Sequence, residues 1–202
     1  MTPGRLARRV LGPLFPASAG LYRRVFVDME RVASWIAERL PKDARVLDVG
    51  GGDGYLVNCL LRQRPDIVVT MTDIADDIGR LVCASFHGRV IFRSATDISV
   101  ISEPHDVMLL SDVLHHVPAQ VRPIFLSRVG AAAERIGCDR IIIKDIEPKG
   151  LRSRLSLLAD HYVTGDKEVS LISAAGVEVE GFRKVLVETP DFPNYCALFD
   201  RQ

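Results

Sequence analysis

Apolar positions along the 202-residue chain change spacing in a regular rhythm, and that rhythm predicts the elements. From Leu21 to Leu40 they recur at Val25, Met29, Val32, Ile36 and Leu40, the spacing of one buried helix face, and Pro41 ends the run. Arg45 to Val49 is a short apolar burst that stops at a glycine cluster, as a buried strand does. A helix over Tyr55 to Arg64, ended by Pro65, leads to a β-branched strand over Ile67 to Thr72. The alternation continues with a helix over Asp76 to Ser85, strands at Val90 to Phe92 and Asp106 to Leu110, and a helix over Ala119 to Ile136 with Pro123 near its start. Arg140 to Lys144, with three consecutive isoleucines, reads as a strand buried on both faces. Helical segments are expected around Leu151 to Ala159 and Lys167 to Ala175. Two final strand-like runs, Phe182 to Glu188 and Tyr195 to Phe199, suit an antiparallel pair at the sheet edge.

Strand and helix alternate five times before that closing pair. The pattern predicts an α/β fold: a doubly wound, mostly parallel, seven-stranded sheet with helices on both faces. No repeat or low-complexity linker divides the chain. Residues 1–40 are read as a basic arm and helical cap on the domain formed by residues 41–202.

Composition narrows the function. Lys plus Arg equals Asp plus Glu at 26 each, a balance that disfavours nucleic-acid binding, which needs a basic excess. The exception is local, because Arg5, Arg8, Arg9, Arg23 and Arg24 all precede the first acidic residue, Asp28. That arm is expected to pack on the domain, with contact to a membrane surface or an anionic, lipid-like ligand as a lesser option. Arg8-Arg9 before an apolar run has the outline of an export signal, but Gly12, Pro13 and Pro16 break the run. No stretch reaches the roughly 20 apolar residues of a membrane span. The four cysteines are scattered, with no Cys-x-x-Cys pair, so reduced thiols and a cytoplasmic location are expected.

The chemistry begins where the first strand ends, at Gly50-Gly51-Gly52-Asp53-Gly54. Ligands of open α/β sheets sit past the carboxyl ends of the strands, and glycines there let a ligand approach the backbone. A dinucleotide fingerprint, Gly-x-Gly-x-x-Gly, fails in both registers, since the sixth position is Tyr55 or Val57. What fits is Asp-x-Gly-x-Gly-x-Gly at Asp48, Gly50, Gly52 and Gly54. Asp73, 25 residues beyond Asp48, ends the second strand, where a carboxylate can accept from both ribose hydroxyls of a nucleoside.

These features resemble the class I S-adenosylmethionine-dependent methyltransferases of the small-molecule type. The resemblance is carried by residues 45 to 147 and implies a Rossmann-like methyltransferase fold with S-adenosyl-L-methionine as cofactor and S-adenosyl-L-homocysteine as product. It implies that the glycine loop holds the methionine part and Asp73 the ribose, with Ile74 a further cofactor contact. It assigns the adenine to the Ser94-Ala95-Thr96-Asp97 loop through Thr96 and Asp97, although Asp97 alone could equally cap a turn. Leu110-Ser111-Asp112-Val113-Leu114-His115-His116-Val117 resembles the family segment lying between cofactor and acceptor, with Ser111 on the cofactor side. The Asn/Asp-Pro-Pro-Tyr signature of amino-group methyltransferases is absent.

Transfer to a hydroxyl needs a base, and histidine titrates near neutrality, so His115 and His116 are the candidates, with either one able instead only to pack or brace the loop. Lys144 and Asp145, at the tip of the fifth strand, and His161 and Tyr162, in a later insertion, are candidate acceptor contacts. Asp112, Asp145 and Glu147 offer hard oxygens to magnesium, but no metal is expected. The rival readings are a non-catalytic S-adenosylmethionine-binding regulatory or partner protein and, less favoured by the glycine register, a nicotinamide oxidoreductase. The acceptor is expected to be a small molecule.

Overall fold

Parallel neighbours hydrogen-bond strand β1 (Arg45–Val49) on both sides, and four of its five residues are buried. A strand covered on both faces must be apolar throughout, which is why Val46, Leu47 and Val49 give a burst and not an alternation. The computed structural model describes residues 28–94, 96–156 and 170–202. β2 (Val68–Thr72) and β3 (Val90–Arg93) extend the sheet on one side of β1, and β4 (Val107–Ser111) and β5 (Arg140–Ile146) on the other. β6 (Phe182–Asp191) and β7 (Asn194–Arg201) complete the order β3-β2-β1-β4-β5-β7-β6.

The first five strands are parallel, and β7 runs antiparallel to both β5 and β6. The closing pair is therefore antiparallel as expected, but only β6 is an edge strand. β7 lies between β5 and β6, which explains its unbroken burial from Asn194 to Phe199.

Alternate residues of the strands feed two cores. On one face Val46, Val69, Met71, Leu109 and Ile142 pack under α1 (Met29–Ala37) and α2 (Tyr55–Gln63). On the other, Leu47, Met108, Leu110, Ile141 and Ile143 pack under α3 (Arg122–Arg135). The Asp28 side chain caps α1 through the Arg31 N–H, and Pro123 sits in the first turn of α3. Arg64, between α2 and β2, donates to the carbonyls of Ala37, Leu40 and Pro41 while Asp66 holds its guanidinium in place. One side chain thus satisfies the end of α1 and locks it to the sheet.

Two expected helices do not form. Residues 76–83 contain no α-helix, and a 3-10 turn, Ala84–Arg89, follows. The reason is local: the Gly79 and Leu81 N–H groups donate to the Gly52 and Asp53 carbonyls, which holds the segment folded over the glycine loop. Near Lys167 to Ala175 the described part, from residue 170, holds only the 3-10 turn Ala174–Gly176. There the Ser170 N–H binds the His115 carbonyl and the Ala174 N–H the Glu147 carboxylate, so these amides serve the sheet tips instead of a helix. Around Leu151, residues 150–156 are helical, and the rest of that expected segment lies outside the described residues. No helix among the described residues is long and apolar enough to cross a membrane.

Helix α3 approaches the turn before β6 through Gly130, where a Cβ would collide with the Glu180 carbonyl. A collision with backbone cannot be relieved by a rotamer change. Gly130→Ala is expected to lower stability by about 1–3 kcal/mol. Gly88→Ala, which meets nothing within 4 Å, should stay within about 0.5 kcal/mol of the parent in urea unfolding.

Candidate functional site

The strand order reverses between β1 and β4, so the crevice of this sheet opens past their carboxyl ends. The chain leaves β1 through Gly50 and Gly51, whose N–H groups donate to the Thr72 carbonyl at 2.8 and 3.2 Å. The Gly52 N–H then donates to Asp73 Oδ2 at 3.0 Å, and the Ala75 N–H to Asp73 Oδ1 at 2.9 Å. Each Asp73 oxygen holds one backbone donor and keeps room for another.

Gly52 has φ +50° and Gly54 φ +79°, conformations that favour glycine. They differ in surroundings. A Cβ on Gly54 would lie 2.5 Å from Val82, whereas among the described residues nothing but the Gly50 carbonyl oxygen, at 3.9 Å, approaches one on Gly52. The loop is sealed by the 79–82 segment at its helix end and open at Gly52. Ile74, beside Asp73, is 84% exposed, an apolar surface next to the opening.

Asp48 lies beneath this loop with its carboxylate against Gly51, and is 3% exposed. Burial, reinforced by the nearby Asp73 charge, pushes its carboxyl up to about 7.

The third loop is tied to the second. Thr72 Oγ1 donates to the Thr96 carbonyl, and the Thr96 N–H to the Asp73 carbonyl, both at 2.8 Å. The Thr96 hydroxyl turns back to the Ser94 carbonyl. Asp97 caps the 3-10 turn Ile98–Val100 through the Ser99 N–H and pairs with Arg128 at 2.9 Å. These two partners hold its carboxyl below the ordinary range, Ser99 contributing most. The capping alternative for Asp97 is thus realised in the structure.

At the tips of β4 and β5 the structure gathers a polar cluster. His115 is 2% exposed in the short turn Leu114–His116, and its Nδ1 lies 2.7 Å from Asp145 Oδ1. Asp145, wholly buried, also accepts from the His115 and Ile146 N–H groups. Burial acts to raise the Asp145 carboxyl, but His115, Ile146 and Lys144 together hold it below its ordinary value. His116 is half-buried, its ring 4.2 Å from that of His115. Ser111 Oγ donates to Asp112 at 3.4 Å. Lys144 is buried, and its ammonium donates to both Asp112 oxygens at 2.6 Å. Lys144 and Asp145 therefore bind neighbouring side chains on this protein, and neither is exposed at the rim of the crevice. His161 and Tyr162 lie outside the described residues.

Three contributors were not singled out from the sequence. Gly79 shapes the cover of the glycine loop. Arg122, buried in the first turn of α3, donates to the carbonyls of Leu114, Val117 and Ser170 and so holds the histidine turn. Tyr195, opposite Asp145 in the β5–β7 register, is buried with no hydrogen-bond partner for its hydroxyl among the described residues. Only Tyr195 carried a signal, as a polar-tipped aromatic in an otherwise apolar strand.

Residues 22–134 match a family model described as a methyltransferase domain. Over 150 residues the chain is 31% identical to a demethylspheroidene O-methyltransferase of Rhodobacter capsulatus, a match covering 71% of this chain and 37% of that protein. Among solved structures it resembles the S-adenosylmethionine-dependent methyltransferase SibL in its apo form, with TM-score 0.69 and 21% identity over 99% of this chain and 62% of that one. It also resembles the N,N-8-amino-8-demethyl-D-riboflavin dimethyltransferase RosA of Streptomyces davawensis, with TM-score 0.67 and 20% identity over 93% and 57% of the two chains. The chain spans little more than a third of the curated relative and about six-tenths of these structures.

Asp48 makes stability depend on pH. Its folded carboxyl keeps a proton up to about 7, whereas the unfolded one releases it near 3.8. Between those values the folded state binds more protons, so this group's contribution to stability falls as pH rises. Asp48→Asn should remove that slope, leaving the variant a few kcal/mol more stable than the parent at pH 8 and similar to it at pH 4. Urea unfolding of both across pH 4–8 measures the difference, and parallel curves would refute the assignment.

Proposed function

The chain belongs to the methyltransferase-domain family, and on that premise we propose that it binds S-adenosyl-L-methionine at the glycine loop and methylates a small-molecule hydroxyl, with His115 as general base. The observation that carries this reading is the pairing of an open, Asp73-tied glycine loop with the buried His115–Asp145 couple at the next strand tips.

The residues present fit such a cofactor. Gly52 leaves the loop open to a ligand, and both Asp73 oxygens retain acceptor capacity for a ribose diol. Ile74 offers its exposed side chain to an adenine face, and the Thr96–Asp97 loop borders the same edge. When bound, S-adenosylmethionine supplies an electrophilic methyl carbon with a neutral thioether as leaving group. The protein must then orient the acceptor and remove its proton.

For the proton, the geometry favours His115 over His116. The Asp145 carboxylate fixes Nδ1 as the protonated nitrogen, so Nε2 carries the lone pair, and the same carboxylate stabilises the imidazolium once formed. As the acceptor oxygen bonds to the methyl carbon, its hydroxyl proton passes to Nε2. Lys144 and Asp145 serve this reading as positioning groups. The name of the Rhodobacter capsulatus relative, an O-methyltransferase, supports oxygen as the methylated atom.

The test is turnover with methyl-labelled S-adenosylmethionine and a panel of phenols, hydroxylated isoprenoids and arylamines. His115→Gln should lower kcat by about 100-fold or more while leaving the KM for the cofactor within about twofold. His116→Gln should cost less than about tenfold. Full turnover by His115→Gln would remove it as the base, and label transferred only to amines would overturn the hydroxyl acceptor.

A further inference from the structure

Asp112 has no part in the reading above, yet its ion pair with Lys144 lies against the His115–Asp145 couple. One side-chain atom of each of Asp112, His115 and Asp145 lies within 4.8 Å of the other two. Asp112 adopts φ +59° at the end of β4, a conformation uncommon outside glycine, asparagine and aspartate. Its N–H donates to the Lys144 carbonyl at 2.9 Å while its carboxylate receives the Lys144 ammonium on both oxygens at 2.6 Å. Backbone and side chain of one β5 residue therefore fix where the Asp112 charge sits. Lys144 has a fully buried side chain and, among the described residues, no other carboxylate within ion-pair distance.

We propose that Asp112 is a positioning residue: its carboxylate, held by Lys144, is a second negative charge facing His115 and strengthens that histidine as a base. This rests on the reading of His115 given above. A carboxylate within 4.8 Å of the ring favours the imidazolium that proton removal creates.

Other groups face the histidine turn. The His116 ring lies tilted against that of His115 with centroids 4.2 Å apart, Arg122 bonds the flanking carbonyls of Leu114 and Val117, and Tyr195 and Glu147 lie on the Asp145 side. Among the described residues, Asp112 and Asp145 are the carboxylates grouped with His115 within 4.8 Å.

Histidine Cε1–H NMR titration of the full chain, without cofactor or acceptor, tests the proposal. The five histidines are assigned with His115→Gln and His116→Gln. Asp112→Asn is the informative variant, because asparagine also tolerates the left-handed backbone. It should lower the His115 midpoint by about one pH unit or more, with the His87 and His105 midpoints unchanged. Asp97→Asn, on the other side of the crevice, should leave His115 where it is. An unchanged His115 midpoint in a folded Asp112→Asn protein would overturn the proposal, whether or not methyl transfer is found. A shifted midpoint in a chain that transfers no methyl group would uphold the electrostatics and refute only the catalytic reading. Should Asp112→Asn not fold, Asp112→Gly at the same φ takes its place with the same expected shift.

Discussion

Everything at the working end of this protein depends on the hydrogen bond from the Gly52 N–H to the Asp73 carboxylate. Parallel strands end side by side, and each ends with backbone groups that the sheet no longer satisfies. Here β1 and β2 resolve that need with each other. The Thr72 carbonyl takes Gly50 and Gly51, Asp73 takes Gly52 and Ala75, and the Thr96 N–H takes the Asp73 carbonyl. The loop is thereby tied to the sheet at Gly50 to Gly52 and covered at its helix end by the 79–82 segment. Among the described residues, its side at Gly52 stays open.

The same economy of partners explains which parts were legible in the sequence. Central strands announced themselves because burial on both faces demands uninterrupted apolar residues, as at Ile141-Ile142-Ile143. The glycine loop and Asp73 could be read because they sit where strands end, a position set by local pattern. The 76–85 segment was misread because its periodicity is real but its amides bond to Gly52 and Asp53, a tertiary demand invisible in a local window. The segment before Gly176 failed for the same reason, its amides serving His115 and Glu147. His115 and His116 could be placed on the right loop but not told apart, because only the register of β4 against β5 brings Asp145 to one of them. Lys144 looked like a rim charge, and its burial against Asp112 depends on a left-handed residue that no spacing reveals.

The site combines two electrostatic halves. Around the glycine loop, burial, reinforced by the nearby Asp73 charge, lets Asp48 hold its proton to near neutrality. Around the histidine turn, Asp145 holds the His115 imidazole and Asp112 the Lys144 ammonium. On the proposed reading, one half would face a sulfonium ligand and the other a base that becomes cationic. The crevice between them lies at the β1–β4 reversal, where the fold leaves space regardless of chemistry.

The most direct test of this account is calorimetric titration of the chain with S-adenosylhomocysteine and, separately, NAD. The account predicts one site for S-adenosylhomocysteine, no heat with NAD, and at least a tenfold loss of affinity, about 1.4 kcal/mol, in Asp73→Ala. Binding of NAD, or S-adenosylhomocysteine affinity unchanged by Asp73→Ala, would contradict it.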